Sequence, residues 1–132
     1  MASRRSIHID GFAHANPVPA ASRIGPFLFS GVLTGRDPQT KEMPEALDAQ
    51  VANAFAHVRE LLAAAGGSVD DIAKLTVWLR TDDYRDRAAL NAQWQEMFPD
   101  AASRPARQVM AATFDGATRI QVDLVAVLPA AS

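Results

Sequence analysis

The chain contains no cysteine, which at once excludes disulfides, thiolate nucleophiles and cysteine-based zinc sites. Histidine is scarce too. His8, His14 and His57 lie far apart without H-x-x-x-H spacing, so no metal site is expected. There is no basic excess either. The 132 residues carry a formal charge of -2, and no basic run is present to neutralise a row of phosphates, which argues against nucleic acid as a partner. Long apolar runs are also missing. None approaches the ~18 residues of a membrane span, and the basic start "MASRRSIHID" leads into no apolar signal-peptide stretch. These absences together lead to the expectation of a cytoplasmic protein that engages no membrane.

What is present suits a single domain over residues 1–132, with 48% hydrophobic residues to build its core. Eleven of the 13 basic residues are arginine, which matters wherever a planar carboxylate must be gripped by two parallel hydrogen bonds. "SIHI" reads as a short first strand, and "GFAHANPVPAASRIG" is too rich in Pro, Ala and Gly to read as regular structure. "PFLFSGVL" (26–33) is an almost continuous apolar run, expected as one buried strand with Gly31 inside it. After the turn segment "TGRDPQTKEMP", the period changes. Leu47, Val51, Ala54, Phe55, Val58, Leu61, Leu62 and Ala65 form a helical stripe that stops at Gly66-Gly67. Ser68 is a possible cap, "KLTVWLR" (74–80) is a strand, and a second helix is expected from about Asp82 or Asp83 to "FPD". Two final strands, about 107–114 and 119–128, are expected to form a hairpin around "FDGAT".

The resulting order, ββ, α, β, α, ββ, predicts an α+β fold: a mixed β-sheet of five or six strands with two helices packed on one face. In the last strand Ile120, Val122, Leu124, Ala126 and Leu128 form one face, and Gln121, Asp123, Val125 and Val127 form the other. Strands 26–33 and 74–80 are also apolar on both faces, yet two helices cover only one side. A monomer would leave a large apolar patch in water. A homo-oligomer built through the uncovered face is therefore expected.

A few residues carry possible chemistry. Arg107 opens a buried-looking strand after Pro105-Ala106. It either reaches solvent or pairs with Asp123, or it serves as a fork for a substrate carboxylate. Gln121 and Asp123 share a face, as interface polar groups or as a water-holding amide and a base. Ser30-Gly31 offers a hydroxyl and a close backbone N–H. Asn91 lies on the apolar stripe of the second helix, where a buried amide needs partners. His14 lies in an irregular segment as a candidate proton carrier, and Trp78 and Trp94 are expected to fill the core or an interface.

Taken in order, several stretches resemble the RidA (YjgF) family of enamine and imine deaminases. They are "FLFSG", the "GRDPQT" turn, Gln50, "AAAGGSVDDIAKLTVWL", "LNAQWQEMF", "RPAR" and the closing "IQVDLVAV", which span about residues 24–128. The resemblance implies a chorismate-mutase-like fold and a homotrimer with active sites in the clefts between subunits. It implies that Arg107 binds the carboxylate of a small 2-imino acid, beside Ser30, Gly31 and Asn91. The reaction it implies is hydrolysis to a 2-keto acid and ammonia, without cofactor or metal. Active members carry a glutamate where this chain aligns Gln121, so the chain reads as a divergent branch. Val109 stands where a cysteine is common, Val32 follows Ser30-Gly31 in place of glutamine, and "HANPVP" replaces an N-terminal aromatic. In this reading Arg107 and Gln121 form the catalytic pair, with His14 or Asp123 as possible proton carrier. The alternatives are a non-catalytic 2-keto acid binder and a deaminase of a larger, aminomuconate-type substrate.

Overall fold

The computed structural model describes residues 3–130. Its elements are β1 (Arg5–Ile7), β2 (Ala21–Ile24), β3 (Phe27–Ser30), β4 (Leu33–Thr34), α1 (Leu47–Ala64), β5 (Ile72–Arg80), α2 (Ala88–Met97), β6 (Ala106–Ala112) and β7 (Ile120–Val127). They form one seven-stranded sheet in the order β1-β2-β3-β7-β5-β6, with β4 continuing the β3 side of β7.

The expected α+β sheet with two helices is present, with seven strands in place of five or six, and four further expectations need correction. The Ala- and Pro-rich N-terminal stretch contains β2, which pairs antiparallel with β3 through a turn at Gly25-Pro26. Its polar Ser22 and Arg23 hide the strand, because its stability comes from pairing and not from its own apolar pattern. The run 26–33 is two strands. Phe29 pairs with Val125 and Leu33 with Val122, so β3–β4 spends one residue more than β7 over the same stretch, a bulge at Ser30–Val32. Helix α2 begins at Ala88, several residues later than expected, because Asp83 and Arg119 hold the preceding turn. Asp83 is 6% exposed and takes two hydrogen bonds from Arg119, at 2.6 and 2.9 Å. The final hairpin does not exist. β6 runs parallel to β5 and α2 supplies the crossover, while β7 pairs antiparallel with the other edge of β5. The turn signal "FDGAT" marks a change of direction, but not which strands become neighbours.

Helix α1 lays its stripe on the sheet. Val51, Ala54, Phe55, Val58, Leu61 and Leu62 pack against Leu28, Leu33, Leu75, Val77, Val122 and Leu124, all buried. Gly66, at φ 88, turns the chain out of the helix in a conformation that favours glycine. Arg23 of β2 then donates to the Ala65 carbonyl at 2.6 Å, a cation placed where the helix dipole favours it. Ser68 caps the short 3-10 turn Val69–Asp71 that leads into β5. Gln50, wholly buried, donates to the carbonyls of Pro44 and Ala117 and accepts from Arg119 N–H. It thereby ties the loop before α1 to the loop before β7.

The N-terminal segment is docked. Ile7, Ile9 and Phe12 enter the core, and Glu60 of α1 accepts from the backbone N–H groups of Asp10 and Gly11. Behind them His57, 1% exposed, lies against the Phe12 ring and places Nε2 2.7 Å from the Arg36 carbonyl. A carbonyl only accepts, so Nε2 carries the hydrogen.

Among the described residues no helix covers the opposite sheet face. Phe27, Phe29 and Val127 remain about half exposed there (48, 52 and 47%), with Ile24 beside Phe27 and Met110 at the far edge of the face, on β6.

Burial pushes the His57 pKa below its ordinary value, against a smaller raising effect from its bond to Arg36. The unfolded chain then binds a proton that the folded ring resists, so stability is full above about pH 6.5 and falls as pH drops toward the lowered folded value. Urea unfolding between about pH 7 and 5.5 should show this loss, by at most ~1.4 kcal/mol per pH unit. His57→Gln should flatten the slope. An identical slope in the variant would mean that the ring takes its proton without penalty.

Candidate active site

One cluster centres on Arg107, at the start of edge strand β6. Its side chain projects to the helix side, where Nη1 donates to Asn91 Oδ1 at 2.9 Å. The guanidinium lies 5.0 Å over the Trp94 ring, a cation–π contact. The alternative of a pairing with Asp123 is not realised, because that residue lies on the other face of the sheet. Among the described residues no carboxylate forms an ion pair with Arg107. Burial, and secondarily the nearby Arg87 cation, push its pKa below the ordinary arginine value. The group nevertheless stays charged at any working pH. Asn91 thus finds the partner that a partly buried amide requires, and Trp94 is both core and platform.

A second cluster forms at the bulge. Ser30 Oγ accepts from Leu124 N–H at 2.8 Å, filling the hydrogen bond that the extra residue displaces. Gly31 N–H donates to the Ala20 carbonyl at 2.9 Å. His14 approaches this corner, its Nε2 only 3.8 Å from where a Cβ on Gly31 would stand. Phe12 meets the same imidazole edge-on, with ring centroids 5.0 Å apart. A cavity of about 390 Å³ opens beside them, lined by residues that include His8, His14, Asn16 and Val18.

Along the bulge runs β7. Gln121 pairs with Thr34 and Trp78, and Asp123 with Thr76, so both point to the open face. The Trp78 indole N–H donates to Asp123 Oδ2 at 2.8 Å, which orients the carboxylate. That donor was not legible in the sequence: Trp78 and Asp123 are 45 positions apart, and only the β5–β7 register joins them.

The sequence-predicted residues therefore fall into two groups. Ser30, Gly31, His14, Gln121 and Asp123 gather around the bulge and β7. Arg107 and Asn91 lie elsewhere. Two strand spacings and three residues separate Arg107 from Gln121, on the order of 14 Å between Cα atoms, and they face opposite ways. A single chain does not assemble both. No group of three His, Asp or Glu side chains among the described residues is placed to hold a metal ion. No helix there is long and apolar enough to cross a membrane.

A family model described as endoribonuclease L-PSP matches residues 11–128. The 2-iminobutanoate/2-iminopropanoate deaminase of Salmonella typhimurium is 33% identical over 119 residues, covering 82% of this chain and 91% of that one. The chain belongs to the RidA (YjgF) family. A RutC family protein of Pyrococcus abyssi is 32% identical over 92 residues, 69% of each chain. The crystal structure of RidA from an Antarctic Psychrobacter superposes with a TM-score of 0.84 at 25% identity, covering 94% of this chain and 99% of that one. The fold is accordingly the chorismate-mutase-like fold of RidA proteins. The family match begins at Gly11, within the docked N-terminal segment.

Proposed function

We propose that this RidA-family chain is an enamine/imine deaminase that hydrolyses a small carboxylate-bearing 2-imine to a 2-keto acid and ammonia. One observation carries the reading: Arg107 is a partly buried, oriented guanidinium with no carboxylate partner among the described residues. A cation held in that way is complete only with an anion, and a planar carboxylate matches its fork. The relatives named 2-iminobutanoate/2-iminopropanoate deaminase act, by that name, on imines of this class. The family model's description as an endoribonuclease fits this chain less well, since its charge of -2 offers no basic groove for a phosphate backbone.

The two half-sites complete one another across a subunit interface. In the proposed homotrimer, the open face is covered by a neighbouring subunit, and Arg107 of one chain meets Gly31, Gln121 and Asp123 of the next. Arg107 fixes the carboxylate, and the Ser30-Gly31 backbone borders the imine. Water adds to the C=N carbon to give a carbinolamine, then the C–N bond breaks and ammonia leaves with a proton. Gln121 aligns the water through its amide oxygen, but it takes no proton at neutral pH. Asp123, with Oδ2 held by Trp78, and His14, beside Gly31, are the proton carriers within reach of the bulge. The Gln121 amide also favours a second reading, a non-catalytic binder of 2-keto acids that keeps the pocket and its arginine.

Sedimentation at micromolar concentration should give a trimer; a stable monomer would remove the shared site. Pyruvate or 2-oxobutyrate should raise the melting temperature of the wild type, and Arg107→Ala or Arg107→Lys should abolish the shift. Equal responses in wild type and Arg107→Ala would mean that the carboxylate binds elsewhere. Gln121→Glu should raise turnover of 2-aminoacrylate by at least about tenfold, a modest part of the usual ~10²–10⁴ contribution of a general acid–base group. No turnover in either protein, with keto-acid binding intact, would favour the binder.

A further inference from the structure

A second guanidinium stands beside the first. Arg87 immediately precedes α2, one turn before Asn91, whose N–H donates to the Arg87 carbonyl at 2.8 Å. Residues four apart on a helix lie on one face, with Cβ atoms about 5–6 Å from each other. Asn91 is the residue that holds Arg107, so both arginines address one surface. Each is oriented by an aromatic ring: Arg107 over Trp94 at 5.0 Å, and Arg87 over Tyr84 at 4.8 Å. Arg87 Nε is also fixed by the Tyr84 carbonyl at 2.8 Å.

Neither guanidinium is neutralised. Among the described residues the ion pairs use Arg80 and Arg119 with Asp82 and Asp83. Asp86, the acid next to Arg87 in sequence, turns its carboxylate to the Ala88 N–H. Arg87 uses only Nε within the described residues, leaving both terminal nitrogens for a partner. Its charge lies close enough to weigh on Arg107. Two half-buried, ring-oriented cations side by side repel one another, and one monocarboxylate satisfies only one of them. A ligand with two anionic groups satisfies both.

We propose that Arg87 is a specificity-determining residue that reads a second carboxylate, so that the preferred substrates are imines of dicarboxylic amino acids with two or three carbons between the carboxyl carbons. The proposal rests on the reading of Arg107 as the anchor for the first carboxylate. Arg107 holds the carboxylate next to the imine carbon, and Arg87 holds the distal one. Tyr84 sets the Arg87 plane. The pair thereby sorts acidic from neutral side chains before any chemistry occurs.

Calorimetric titration of the full-length protein with 2-oxoglutarate and with 2-oxobutyrate tests this directly. The wild type should bind 2-oxoglutarate at least about tenfold more tightly, the yield of one added charge-assisted hydrogen bond. Arg87→Gln should bring the ratio of the two affinities close to one, while Arg87→Lys should retain part of it. Arg107→Ala should lose both ligands. Equal wild-type affinities for the two acids would overturn the Arg87 assignment and leave the Arg107 reading standing, and that comparison requires no variant to fold. The Arg87 assignment is likewise overturned if Arg87→Gln folds but keeps the wild-type ratio. If neither acid binds to the wild type, the Arg107 anchor fails and the assignment of Arg87 fails with it.

Discussion

The structure depends on where β7 sits. The last strand of the chain is hydrogen-bonded along both edges, to β3 and β4 on one side and to β5 on the other. It therefore joins the N-terminal hairpin to the β5–α2–β6 unit, and without it the sheet is two fragments. Alternation does the rest. Ile120, Val122, Leu124 and Ala126 are buried under the helices, which leaves Gln121 and Asp123 no place except the open face. A shift of one residue in register would bury both polar groups and expose the aliphatics. Gln50 guards the entry to this strand by holding Ala117 and Arg119 against α1.

The bulge is the local counterpart of that constraint. One additional residue between Phe29 and Leu33 breaks the ladder beside Asp123, and the displaced N–H of Leu124 is recovered by Ser30 Oγ. The backbone at Gly31 is thereby released from β7 and turns to Ala20, opening the corner that His14 approaches. Placing an irregularity beside a fully paired central strand keeps the corner rigid. A site on a loop alone would lack that support.

Much of this was legible in the sequence. The stripe from Leu47 to Leu62, the two faces of residues 120–128 and the stop at Gly66 follow from periods and turn residues, and each is present in the fold. Local patterns fail where pairing is non-local. β2 has an irregular pattern because Ser22 and Arg23 are polar, and a β6–β7 hairpin is a natural expectation because its turn signal is strong. Whether two strands become neighbours depends on what α2 covers and on the parallel β5–β6 register, neither of which a turn motif encodes. The site divides along the same line. Arg107 and Asn91 were recognisable as residues with something to explain, and so were Gln121 and Asp123. Their location on opposite faces was hidden, because strand parity is known within a strand but not between strands whose pairing is misassigned. The Trp78–Asp123 bond and the company of Arg87 and Arg107 were hidden for the same reason.

The open face is not uniform, and its division has an electrostatic consequence. Ile24, Phe27, Phe29, Val125 and Val127 occupy the β2–β3–β7 corner, whereas Thr34, Thr76, Trp78, Gln121 and Asp123 occupy the middle. In the proposed trimer the apolar corner excludes water around the polar centre, and lower local polarity strengthens every charge–charge contact made there. It also raises the cost of any charge left unpaired. An arginine delivered into such a cleft by a neighbouring subunit is stable only with its anion, so association and carboxylate binding should favour one another. The neutral Gln121 amide then has a second consequence besides taking no proton. It places no negative charge beside a bound carboxylate. An amide at that position makes the cleft more favourable to anions, the direction in which a dianionic ligand gains most.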